Sequence, residues 1–190
     1  KSEIIRMTAK KIVVVLGMHR SGTSAITRGL SAIGVDLGNS LMPGVAGNND
    51  KGFFEDVDIA AFNDSLLRKL DSPWDDLKFF SSADLLGSKF EAERCEARLL
   101  LAKKISKCSV FGFKDPRVCI LLPFWKSVFS SLSLDVSYVL CLRNPLSVAR
   151  SLHRRDGMSM EKGILLWLKY TAAAIVESDS KCLAVVDYDQ

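Results

Sequence analysis

Short apolar runs alternate with longer stretches of helical spacing along this chain. KKIVVVLG, Lys10 to Gly17, is a β-branched run closed by glycine, and TSAITRGLSAIG after it sets Ile26, Leu30 and Ile33 at helical intervals before Gly34. The pattern predicts strand, loop, helix. Residues 35–54 are rich in Gly, Asn and Pro and predict one long loop, which in a compact domain is usually functional. EDVDIAAFNDSLLRKL and KFEAERCEARLLLAKKI then predict two helices separated by the polar connection DSPWDD. SVFGFK (109–114), DVSYVLCLR (135–143) and CLAVVDY (182–188) predict three further strands. Their two-sided apolar character fits a parallel sheet covered by helices on both faces. ILLWLKYTAAAIV is apolar nearly all round and predicts a deeply packed helix. The expectation is a single α/β domain over residues 1–190. Because VVDYDQ stops straight after a strand, where a covering helix is expected, a truncated C-terminus is expected too.

With 190 residues, 48% hydrophobic and 25% charged, the chain has the composition of a soluble domain with one core. Its apolar runs fall well short of the ~18 residues that span a bilayer, so no membrane span is expected. The start at Lys1 leaves room for a trimmed leader. Five cysteines without C-x-x-C spacing predict buried free thiols in a reducing compartment, hence a cytoplasmic location. A net charge of +4 does not call for a nucleic-acid partner, but Arg150, His153, Arg154 and Arg155 concentrate positive charge locally.

The chemistry begins at GMHRSGTS, Gly17 to Ser24. Gly17 and Gly22 have the spacing of a nucleotide-triphosphate loop and Ser24 is in place, but Thr23 stands where the phosphate-reaching lysine belongs. The nearest cation, Arg20, lies inside the loop. A Gly-rich turn between strand and helix presents backbone N–H groups and the positive helix end to an anion of any parent molecule. Arg143 follows a strand, and Ser151 comes eight residues later on the next helix, so both are expected to face one phosphate at the sheet's carboxyl edge. Lys114 ends another strand, with Pro116 opening the next helix. Three strands thus deliver Arg20, Lys114 and Arg143 to one edge.

These stretches resemble a known family. GMHRSGTS is similar to the 5′-phosphosulfate loop of sulfotransferases, P-[KR]-[SG]-G-T-[TS], with Arg20 at the Lys/Arg position. LRNPLSVARSL resembles the same family's 3′-phosphate motif, and the two lie about 120 residues apart in matching strand-loop-helix contexts. The resemblance covers about residues 11 to 188. It implies a P-loop NTPase-like three-layer sandwich and, as donor, 3′-phosphoadenosine-5′-phosphosulfate (PAPS), bound by His19, Arg20, Ser21, Gly22, Thr23 and Ser24 of the loop and by Arg143, Ser151 and Arg155. It further implies no required metal, since protein cations can stabilise the leaving oxygen of a sulfuryl transfer.

For catalysis the resemblance implies Arg20 and Lys114 as the cations, Lys114 because KDP resembles a segment of the tyrosylprotein branch. Asp115 and Pro116 replace the continuation of the K-T-H motif that supplies a histidine base elsewhere. Glu55 in DKGFFEDVD is the alternative glutamate base, although Asp56 and Asp58 are equally suited to the first turn of a helix. Similarity to prokaryotic-type members with this loop points to a carbohydrate acceptor, with a lipid-linked glycan, a small alcohol or phenol and a peptide tyrosine left open. The family's late Gly-rich segment over the donor would lie beyond Gln190. Two alternatives stand beside this reading: a small-molecule or nucleoside kinase using ATP and magnesium, and a non-catalytic nucleotide-binding protein.

Overall fold

The structure is a computed structural model that describes residues 10–46, 49, 51–178 and 181–190. Positions 47, 48 and 50 of the expected long loop lie outside the described residues. Four strands, β1 (Lys11–Leu16), β2 (Val110–Lys114), β3 (Asp135–Leu142) and β4 (Cys182–Asp187), form one all-parallel sheet in the order β2-β1-β3-β4. The pairings Val15 with Lys114, Leu16 with Leu140 and Leu142 with Asp187 bring all four carboxyl ends to one edge. The helices are α1 (Thr23–Ala32), α2 (Val57–Lys69), α3 (Ser82–Leu86), α4 (Glu91–Ile105), α5 (Val118–Ser131), α6 (Pro145–Asp156) and α7 (Met160–Ser178).

The central strand β1 is valine-rich because both of its faces are covered. Ile12, Val14 and Leu16 face a large core shared with α2, α4, α5, α6 and α7, whose centre is an aromatic group of Phe62, Phe113, Phe124, Trp125 and Phe129. Val15, Val139 and Cys141 face the other way, onto Ile26 and Leu30 of α1. This is a three-layer α/β sandwich, with one thick and one thin helical layer.

Two expectations about covering need correction. Helices do not bury the whole sheet: Leu183 and Val185 of the edge strand β4 are 68% and 60% exposed. Nor is α7 packed all round, because Leu165, Leu168, Ile175 and Val176 face outward while Gly163, Leu166, Tyr170 and Ala174 pack inward. An apolar sequence records a preference for burial, and the number of neighbouring elements decides how much is met. Helix α3 was not legible from apolar spacing. It forms on a capping box, in which Ser81 and Asp84 satisfy each other's backbone N–H groups. Pro116 sits in the turn before α5 rather than opening it.

Candidate active site

The loop after β1 turns tightly. Gly17 and Gly22 have φ of 150° and 82°, and Arg20, a non-glycine residue, has φ of 69°. The left-handed conformation at Arg20 costs about 1–2 kcal/mol. It is held by neighbours: the Arg143 guanidinium donates Nη1 to the Arg20 carbonyl at 2.9 Å, and Arg20 Nε donates to Ser151 Oγ at 2.8 Å. Glycine is required at position 22 for a second reason. A Cβ there would lie 2.0 Å from Cδ2 of Tyr188, whose ring packs against the loop. α1 starts at this glycine with no side-chain cap, so the orphan N–H groups of its first turn remain available to a ligand.

Beside the loop opens a cavity of about 460 Å³, lined by Arg20, Thr23, Arg28, Lys51, Arg143 and Tyr188 among others. Four of its lining side chains are cationic and, among the described residues, none is acidic. Arg143 lies 5.0 Å from the centre of the Tyr188 ring and pairs with Asp189 at 3.3 Å, whose other oxygen accepts from the Asn144 backbone N–H at 2.6 Å. A carboxylate therefore already sits at the end of β3 and the start of α6, the position expected for a bound anion. Ser24 Oγ donates to the Phe53 carbonyl and accepts from Asn49, which ties Asn49 and the 51–54 segment to the loop.

Glu55 lies just beyond that segment. Met42 N–H donates to the Glu55 carbonyl at 2.7 Å and Val57 N–H to the Ser40 carbonyl, so residues 40–42 grip this turn. Phe54, at φ 55°, turns the chain between the cavity, which it lines, and the interior. The three acids that the sequence could not separate now differ. Asp56 caps α2 and pairs with Lys104, and Asp58 pairs with the same lysine from a half-exposed position. Glu55, 6% exposed, is buried as Asp56 is but has a different partner: it accepts from Lys114 Nζ, at the end of β2, at 2.6 Å. Burial raises the Glu55 pKa, while the cations Lys114 and Arg117 pull it back.

Of the predicted site residues, the structure brings Arg20, Arg143 and Ser151 into one bonded group, and Glu55 and Lys114 into another. Ser151 does not join Arg143 in facing the cavity, because its hydroxyl is turned to Arg20. Ser21 is buried with its hydroxyl unpartnered, and Thr23 is buried at the start of α1. His19 packs against Trp74, with ring centres 4.5 Å apart and the planes tilted by 54°, and its Nε2 is buried without a hydrogen-bond partner. Burial and the nearby Arg155, Arg117, Lys114 and Arg20 push the His19 pKa well below its ordinary value, so the ring is neutral. Arg155 lies over the same tryptophan, 5.4 Å from the centre of the Trp74 ring, and pairs with Asp156. His153 is bonded to the Met158 carbonyl at the end of α6 and takes no part. Cys119, whose sulfur accepts from the Gly17 N–H, and Cys141 are buried with thiols pushed up to about 12, which makes them packing groups rather than nucleophiles. All five cysteines are free.

Sequence reasoning missed Arg117, Tyr188, Asp189, Arg28 and Lys51. It treated Asp115 only as a break in a motif. Asp115 is fully buried, and it accepts from Arg117 Nε at 2.8 Å and from Asn63 Nδ2 at 2.9 Å. The signal was present: three charged residues in KDPR stand between the apolar runs VFGF and VCILLPFW. Asn63, which reads as a glycosylation acceptor in N-D-S, is 0% exposed with both ends of its amide bonded. That buried position excludes a glycan.

No family model matches the chain, and no curated protein does. Among solved structures, the crystal structure of TT1252 from Thermus thermophilus aligns over 95% of this chain and 89% of that one, at 16% identity and a TM-score of 0.48. Among the described residues, no helix is long and apolar enough to cross a membrane.

Proposed function

We propose that the protein is a sulfotransferase that moves a sulfuryl group from PAPS to a hydroxyl or amine acceptor, a carbohydrate by preference, through in-line displacement. The observation that carries this reading is the pairing of the Arg20-Ser21-Gly22-Thr23-Ser24 loop with a cavity lined by four cations, with Arg143 bonded to the loop itself. A polyanion with charge at both ends suits that lining better than a neutral ligand does. Thr23 in place of a lysine turns the loop away from the terminal phosphates of ATP.

In this mechanism the loop N–H groups and Arg20 hold the 5′ end of the donor, and Arg143 with the start of α6 holds the 3′-phosphate. Binding there displaces the Asp189 carboxylate from Arg143. The donor brings an activated sulfuryl group. Glu55, once ionised, takes the acceptor's proton as the acceptor oxygen or nitrogen bonds to sulfur. Arg20 and Lys114 offset the charge that grows on the departing phosphate oxygen, a preorganised contribution of about 2.7–4 kcal/mol for such a donor.

One observation favours a second reading, a binding protein without chemistry: neither Glu55 nor Lys114 lines the cavity. Calorimetric titration with 3′-phosphoadenosine-5′-phosphate (PAP), against ATP with magnesium, separates the donor classes. The expected result is preferential PAP binding, weakened about ten- to a hundredfold in Arg143→Ala through loss of a charged hydrogen bond. Magnesium-dependent ATP binding indifferent to Arg143 would instead establish a kinase. PAP binding without transfer to any of a panel of saccharides, phenols and amines would favour the binding protein.

A further inference from the structure

Glu55 has two cationic neighbours, and they are held in different ways. Lys114, at the end of β2, reaches Oε1 at 2.6 Å on a four-carbon stem. Arg117 stands 3.7 Å from Oε2, an ion pair without a hydrogen bond, and the rest of its guanidinium is fixed. Its Nε donates to both Asp115 oxygens, at 2.8 and 3.1 Å, and its Nη1 to Asp64. Asp115 also accepts from the Arg117 backbone N–H at 3.0 Å and from Asn63. Asn63 in turn accepts from Trp125 Nε1 at 2.9 Å, in the middle of the aromatic core. An unbroken run of hydrogen bonds thus ties Arg117 to the buried aromatic core.

The sulfotransferase reading gives Lys114 two duties that compete. It balances Glu55 at rest, and it stabilises the departing oxygen during transfer. If Lys114 turned away with nothing in its place, a desolvated carboxylate would be left unpaired and would take up a proton, the wrong state for a base. Arg117 is always charged, already lies within 4 Å, and cannot itself turn away. Buried ion networks are often no more stable than apolar replacements, so stability alone does not account for it.

We propose that Arg117 is a positioning residue: it takes over the Glu55 carboxylate as Lys114 turns to the transferring group, so that Glu55 stays ionised and aimed. The proposal rests on the sulfotransferase reading. The charged groups facing Glu55 are Lys114, at the end of β2, and Asp115 and Arg117 just after it, with Asp64 of α2 behind Arg117; the neutral His19 lies near Lys114 and Arg117.

The test follows the Glu55 side-chain carboxyl by ¹³C NMR across a pH titration without ligand, with Glu55→Gln to assign the signal. Lys114→Met is expected to leave Glu55 ionised at neutral pH. Adding Arg117→Gln is expected to raise its proton affinity at least about tenfold, one pH unit in midpoint, and Arg117→Lys in the same background to recover part of the shift. Coincident titrations of Lys114→Met and the double variant overturn the proposal, as does a Glu55 already protonated at neutral pH in Lys114→Met. Should the double variant not fold, Arg117→Gln alone is titrated with and without PAP: protonation of Glu55 on PAP addition, absent in wild type, supports the role, and no difference from wild type overturns it. The two readings fail separately. PAP binding with coincident titrations removes the positioning role alone, whereas no PAP binding to wild type removes the sulfotransferase reading and the second duty of Lys114 with it.

Discussion

The two halves of the site treat charge in opposite ways. Under the end of β2, Glu55, Lys114, Asp115 and Arg117 are two acids and two bases, each at most 8% exposed, that neutralise one another. Beside the loop, four cations share an open cavity, and Asp189 pairs with one of them, Arg143. The first region is complete without a ligand. The second has surplus positive charge that an anion would relieve. Buried ions must be paired within the fold because desolvation leaves no alternative, whereas a solvated cavity can carry unbalanced charge and so keep a place for a ligand.

The sharpest way to break this contrast is to unpair the closed half. Asp115→Ala removes the partner of both Arg117 and Asn63 and is expected to cost about 3–5 kcal/mol of stability, read by denaturant unfolding. A loss below about 1 kcal/mol would mean that water enters the cluster and that it is not closed. In the open half, Gly22→Ala meets both a left-handed backbone and the Tyr188 ring. A stability loss of about 1–2 kcal/mol is expected, together with loss of PAP binding in calorimetry as Tyr188 and the loop separate. Full PAP affinity in this variant would show that the packing of Tyr188 on the loop is dispensable.

A smaller effect tests Asp189 as the resident anion. Asp189→Asn leaves the shape but removes the charge that competes for Arg143, and PAP affinity is expected to rise about two- to fivefold, the scale of a partly exposed ion pair. Weaker binding would make Asp189 a support of the site and not a competitor. The smallest effect concerns His19. Its folded pKa lies below the ordinary 6.5, so the unfolded chain binds the extra proton first. Stability attributable to the neutral ring is therefore full above pH 6.5 and is lost as pH falls from there toward the folded pKa. His19→Gln is expected to flatten the fall in melting temperature across that window, and an unchanged slope would place the acid sensitivity in other groups.

Much of the fold was legible because its signals are local. The four strands fall within a residue or two of the apolar runs, and α1, α2 and α4 follow their spacing and end signals. The tight loop after β1 was legible for the same reason, since two glycines and an arginine at fixed spacing specify such a turn without reference to the rest of the chain. Arg117 was not, although KDPR stood in plain view between apolar runs. A charged residue there reads equally as a surface turn, and only the packing of α2 against β2 and α5 shows that Asn63, Asp115 and Arg117 meet.

By itself, then, the sequence determined an α/β chain of parallel strands with Arg20, Lys114 and Arg143 at their carboxyl ends, because periodicity and turn chemistry act over a few residues. The tertiary structure decided which of Glu55, Asp56 and Asp58 meets Lys114, that Ser151 braces Arg20, and that Asp189 reaches Arg143. Each of those is a contact between residues far apart in the chain, set by side-chain direction and burial, and neither quantity is written in the spacing of residues along one strand or helix.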